Sequence, residues 1–98
     1  MKIIKEALAG TLESSDLLVK VAPSTEGLLE IAITSEVMQQ FGLQIRTVVE
    51  ETLTKLSVSE GVIIVEDKGA LDCAIRARTQ AAILRGACAE DINWEHLS

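Results

Sequence analysis

The chain has 98 residues, 48% of them hydrophobic and 24% charged. That is ordinary for a soluble protein with one self-sufficient core. A formal net charge of −6 disfavours a nucleic-acid partner, which needs clustered Lys and Arg. The aromatics are only Phe41 and Trp94, so the core must come from Leu, Ile, Val and Ala, and bases have nothing to stack on.

Met1-Lys2-Ile3-Ile4-Lys5-Glu6 lacks the apolar stretch of a signal peptide, and no apolar run is long enough to span a bilayer. Residues 7–13 predict a short first strand, weakened by Ala9 and Gly10. Glu13-Ser14-Ser15-Asp16 predicts a turn. Leu17, Val19 and Val21 alternate with Leu18, Lys20 and Ala22 as a strand with one strongly apolar face. Pro23-Ser24-Thr25-Glu26-Gly27 breaks it. Leu29, Ile31 and Ile33 then alternate with Leu28, Glu30 and Ala32. Strands this close in sequence predict an antiparallel meander.

Ser35 is a candidate helix N-cap, with Glu36 suited to the positive end of the helix dipole. Val37, Phe41, Ile45, Val48, Val49, Leu53 and Leu56 follow at helical spacing. Gly42, inside that pattern, is a candidate kink. The run Val62-Ile63-Ile64-Val65 predicts a strand central in the sheet. Glu66-Asp67-Lys68-Gly69 predicts a turn with solvated charges. Ala70, Ala74, Ala77, Ala81, Leu84 and Cys88 then stripe one side of a second helix, and Asp72 and Arg76 are spaced to pair on its outer face. The order ββ(β)αβα predicts an α+β fold: a small single-domain sandwich over residues 1–98, its sheet mixed and mainly antiparallel with two helices packed on one face. Residues 89–98 are expected to be a flexible or docked tail.

Chemically competent side chains are scarce. His96 sits in the tail, and Trp94 is read as an anchor of the tail to the core, the alternative being an anchor at an interface. Cys73 and Cys88 fall in one predicted helix, roughly 22 Å apart at about 1.5 Å per residue, too far to bridge. With no bridge expected, a cytoplasmic location follows by default; the two cysteines also lack the spacing of a metal site and are expected to be buried. Gly10, Gly27, Gly42, Gly61, Gly69 and Gly86 are too dispersed to cradle a phosphate. Arg76, Arg78 and Arg85 are candidates for a basic patch, with Arg78 and Arg85 on one helix face. We expect no catalytic residues and no metal ligands. What remains is a hydroxyl in the first turn, Ser14 or its neighbour Ser15, between carboxylates (Glu13 and Asp16) that would repel an attached anion. An inert domain that holds out a hydroxyl suits a carrier.

Ala9-Gly10-Thr11-Leu12-Glu13-Ser14-Ser15-Asp16, together with Val65-Glu66-Asp67-Lys68-Gly69-Ala70-Leu71-Asp72-Cys73 and Arg76-Ala77-Arg78, closely resembles the acyl carrier (gamma) subunit of bacterial citrate lyase. The resemblance covers essentially the whole chain. It implies that Ser14 carries 2′-(5″-phosphoribosyl)-3′-dephospho-CoA through a phosphodiester installed by a dedicated transferase. Some relatives have glycine at the position of Ser15. The implied partners are an alpha subunit that exchanges acetyl for citryl on the tethered thiol and a beta subunit that cleaves the citryl thioester to oxaloacetate. The alternatives are the acyl carrier subunit of malonate decarboxylase, which uses the same group, and a small non-catalytic α+β adaptor module.

Overall fold

The computed structural model describes residues 2–36 and 38–87, with side chains left undescribed at residues 38–41. Cys88, Trp94, His96 and the whole of 89–98 lie outside the described residues, as do the side chains of Val37 and Phe41.

The elements are β1 (Ala7–Gly10), β2 (Leu17–Ala22), β3 (Leu29–Ser35), α1 (Met38–Lys55), β4 (Gly61–Asp67) and α2 (Asp72–Gly86). The sheet order is β1-β2-β4-β3. β1 pairs antiparallel with β2 in the register Ala9↔Val19, and β2 pairs antiparallel with β4 at Val19↔Val65. β3 pairs parallel with β4 at Ile33↔Val65. The expected order, the mixed and mainly antiparallel sheet and the central place of the Val62–Val65 run are all present. The meander is not: it ends at β2, and β3 joins the far edge of β4. The parallel β3–β4 pair requires a crossover, which α1 supplies. The β2–β3 connection spans two strand spacings, about 10 Å, and is tied down where the Gly61 amide donates to the Leu28 carbonyl.

Period-two alternation decides the layers. Ala9, Leu17, Val19, Val21, Ile63 and Val65 are buried on one face under the helices. Leu8, Lys20 and Ile64 share a row on the other, exposed face, where Lys20 and Glu66 form a surface ion pair. α1 adds Ile45, Val48, Val49, Leu53 and Leu56 to the core, matching the predicted spacing, and runs unbroken through Gly42. It ends at Ser57, whose φ of 55° lets the Val58 amide reach back to the Leu53 carbonyl, a cap in which serine stands where glycine is usual. Ser35 closes β3, and its hydroxyl donates to the Asp67 carboxylate at 2.8 Å.

The buried face of α2 is rotated from the alanine stripe. It consists of Ile75, Thr79, Ala82, Ile83 and Gly86, whereas Ala70, Ala74 and Ala81 pack only at the margin of the core and Ala77 is exposed. The isoleucines decide this, since each removes far more apolar surface from water than an alanine does. Gly86 lies where any Cβ would meet Val21 Cγ2 at 2.6 Å, so α2 runs close over β2 at that end.

Candidate functional site

β1 and β2 bring the chain into the Thr11–Asp16 loop. Gly10 makes the entry possible: its φ is 97°, and a Cβ there would fall on the Leu17 carbonyl oxygen. That carbonyl instead accepts the Thr11 amide at 3.1 Å. At the tip, the Asp16 amide donates to the Glu13 carbonyl at 3.1 Å, closing a turn with Ser14 and Ser15 at its centre. Ser15 has a φ of 66°. Positive φ at the third position of a turn normally selects Gly or Asn, so glycine would suit this position better than serine.

Two further sets of contacts hold this loop. Across the sheet end, the Ser15 amide donates to the Lys68 carbonyl at 2.8 Å, and the Lys68 amide donates to the Asp16 carbonyl at 2.9 Å. Beneath the loop, the Asp16 carboxylate accepts the Thr11 hydroxyl and the Leu17 amide, each at 2.8 Å. Arg78, on α2, adds a bidentate pair: Nε at 3.2 Å to Oδ1 and Nη2 at 3.1 Å to Oδ2. The Thr11 hydroxyl, the Leu17 amide and the Arg78 guanidinium together hold the Asp16 carboxyl well below its ordinary range, at about 2. Arg78 offsets the charge of Asp16, so the expected repulsion is reduced at that residue, while Glu13 is exposed to water. Ser14, at the tip, is exposed, and its hydroxyl takes no hydrogen-bond partner among the described residues.

The turn after β4 is built around Asp67, which is 2% exposed rather than solvated as the sequence suggests. Its Oδ1 accepts the Ala70 amide and its Oδ2 the Gly69 amide, each at 3.0 Å, and Oδ2 also accepts Ser35 Oγ. Asp followed two and three residues later by the amides it binds is an Asx-type pattern, a signal present in Asp67-Lys68-Gly69-Ala70. The two sequence motifs therefore meet in space. Beside that turn, Gln44 and Ile45 of α1 and residues 69–73, 75 and 76 line a cleft of about 660 Å³.

The other predicted groups separate. Asp72 does not pair with Arg76; its carboxylate accepts Gln44 Nε2 at 2.8 Å. Arg78 and Arg85 do share a face, and both are occupied there, Arg85 by donating to the Leu8 carbonyl at 2.8 Å. Arg76, two residues from Arg78 and so about 200° around the helix, points elsewhere, and the three arginines form no common patch. Cys73 is exposed rather than buried, because it lies on the outer side of the first turn of α2. Among the described residues no group of three or more His, Cys, Asp or Glu is placed to hold a metal ion, and no helix is long and apolar enough to cross a membrane.

The model of the family described as malonate decarboxylase delta subunit (MdcD) matches residues 4–86. The chain is 65% identical over 97 residues to the citrate lyase acyl carrier protein of Pectobacterium carotovorum subsp. carotovorum (strain PC1), covering 99% of this chain and 100% of that one. It is 66% identical to the protein of the same name from Albidiferax ferrireducens, again over 97 residues, covering 99% of each. A chain in the crystal structure of a Pseudomonas malonate decarboxylase hetero-tetramer in complex with malonate shares the fold, with a TM-score of 0.74 at 23% identity over 85% of this chain and 84% of that one. With two motifs joined at one end of the sheet and full-length identity at this level, the chain belongs to the citrate lyase acyl carrier protein family.

Proposed function

We propose that this chain is the non-catalytic acyl carrier subunit of a cytoplasmic citrate lyase and that Ser14 is the point of covalent attachment of 2′-(5″-phosphoribosyl)-3′-dephospho-CoA. The observation that carries the proposal is the Ser14 hydroxyl itself. It is exposed at the tip of a loop held from two sides, and it is unengaged among the described residues. The residues fit the group. A phosphodiester at Ser14 would meet water on its outer side, the charge of Asp16 is paired with Arg78, and the exposed Glu13 is screened by solvent. Ser15 is the weaker candidate, because its amide is committed to Lys68 and its backbone sits in a conformation that favours glycine.

When bound, the group supplies a terminal thiol on which acetyl and citryl units are carried as thioesters. The chain's own contribution is positional. Gly10 permits the loop, Arg78 and the Lys68 backbone fix its pose, and Ser14 stands clear of the body so that partners can approach. Leu12 and Leu71, 52% and 74% exposed, offer apolar surface within the two motifs for the transferase, the alpha (acyl transferase) subunit and the beta (citryl lyase) subunit. A tether converts each transfer to an encounter at effective concentrations up to the millimolar range.

Co-expression with the prosthetic-group transferase, followed by intact-mass measurement and peptide mapping, tests the assignment. We expect one adduct per chain on the peptide containing Ser14, and none in Ser14→Ala. Full modification of Ser14→Ala would overturn the site.

A further inference from the structure

The cleft between α1 and the β4–α2 turn has no role in the loop just described. Its volume, about 660 Å³, is in the range of small-molecule sites. Ile45, Ala70, Leu71 and Ile75 give it an apolar lining, and its polar residues are Gln44, Asp67, Asp72 and Arg76, of which Asp67 is taken up by the Gly69 and Ala70 amides and the Ser35 hydroxyl. The Gln44 amide nitrogen donates to the Asp72 carboxylate. Arg76 is exposed and, unlike Arg78, has no hydrogen bond or ion pair among the described residues. A cation at the lip of an apolar cleft suits a thin chain with a phosphate along it.

The position of the cleft points to its occupant. Lys68 supplies the carbonyl that holds the Ser15 amide, and the next residue, Gly69, is the first residue of the β4–α2 turn to line the cleft. At Gly69, with a φ of 91°, no heavy atom lies within 4 Å of where a Cβ would stand, so no side chain crowds this edge of the cleft. A group tethered at Ser14 is held beside this mouth at high effective concentration and needs little intrinsic affinity to occupy it.

Resting on the attachment proposed above, we infer that the cleft is a parking site for the carrier's own arm: a phosphate of the arm pairs with the Arg76 guanidinium, and the chain beyond it lies along Ile45, Ala70, Leu71 and Ile75. The thiol end would be shielded between visits to the partner subunits.

Cys73 also lines this cleft and is exposed, so it serves as a built-in reporter. The experiment compares apo protein with protein loaded by co-expressed transferase, its arm thiol capped by acetylation and its loading measured by intact mass. Both are treated with iodoacetamide under native conditions, and alkylation of the Cys73 peptide is followed by mass spectrometry, separately from the Cys88 peptide. We expect loading to slow Cys73 alkylation about fivefold, the effect of an arm docked for roughly four-fifths of the time. Dividing each loaded rate by the apo rate of the same variant cancels any direct effect of Arg76 on the thiol, and in Arg76→Glu this ratio should return to about one. Fully loaded protein whose Cys73 reacts at the apo rate, or protection that survives in Arg76→Glu, overturns the docking while leaving the attachment intact. Absence of any adduct after co-expression overturns both.

Discussion

Two polar turns in this protein look alike as sequence and behave differently as structure. Thr11–Asp16 and Pro23–Leu28 each combine serine, threonine and a carboxylate between apolar strands. In the second, the Ser24 hydroxyl accepts the Glu26 and Leu28 amides, each at 3.2 Å, so the serine organises its own backbone as turn serines commonly do. In the first, threonine and aspartate take over that work, and the Ser14 hydroxyl is left over. A presented hydroxyl is therefore marked less by its own identity than by neighbours that relieve it of structural duty. The anchors differ as well. The Thr11–Asp16 loop is held by Lys68 and Arg78, whereas the Pro23–Leu28 turn is held by its own serine and by one amide, from Gly61.

The contrast can be broken most forcefully at its glycines. Gly10→Ala drives a Cβ onto the Leu17 carbonyl at a positive φ, and we expect about 4 kcal/mol of destabilisation or failure to fold, read by urea denaturation. Gly27→Ala meets only the far end of Glu60, at 3.4 Å, and should cost about 1 kcal/mol for its left-handed backbone. Equal losses at the two sites would deny that the first loop is the more tightly specified.

Acid should separate the loops next. Asp16 has a folded pKa of about 2 against an ordinary 3.8. Its contribution is complete above the unfolded value and disappears as pH falls from about 4 through about 2. Hydrogen exchange at the Ser15 and Lys68 amides should lose protection over that window, while the Leu28 amide, held by a hydroxyl that does not titrate, should not follow the same curve. Asp16→Asn should leave the two amides poorly protected and insensitive to pH between 4 and 2. Retention of wild-type protection in that variant would show that Arg78 does not hold the loop through this carboxylate.

The smallest effect sharpens the serine comparison. Ser15→Gly relieves a left-handed serine and should stabilise the fold by about 1 kcal/mol without disturbing attachment. Ser24→Ala removes an acceptor for two backbone amides and should destabilise it by about 1 kcal/mol. Thermal melts read both. Opposite signs support the division of labour between the two turns, and the same sign would remove it.

How far the chain can be read without its structure follows from the range of each interaction. The strands of Leu17–Ala22 and Leu29–Ser35 and the core side of α1 are legible because alternation and helical spacing are local. The order of the strands is not, since β3 alternates equally well whether it neighbours β2 or β4. The alanine stripe misleads on α2, because regular spacing of small residues competes with Ile75 and Ile83, which bury far more surface. Asp67 carried a readable signal in the Gly and Ala that follow it. The pairing of Asp16 with Arg78 had none, because those residues are 62 apart in the chain and nothing in either segment names the other.

That separation has a bearing on synthesis. Both partners that fix the Ser14 loop, Lys68 and Arg78, follow the serine far along the chain, and their contacts with it need β4 paired with β2 and α2 laid across the sheet. A truncated or misfolded chain can still bend at Glu13–Asp16, but it cannot hold the turn in its final pose. The pose of the loop is therefore a property of the completed domain, since it draws on β4 and α2 as well as on its own hairpin.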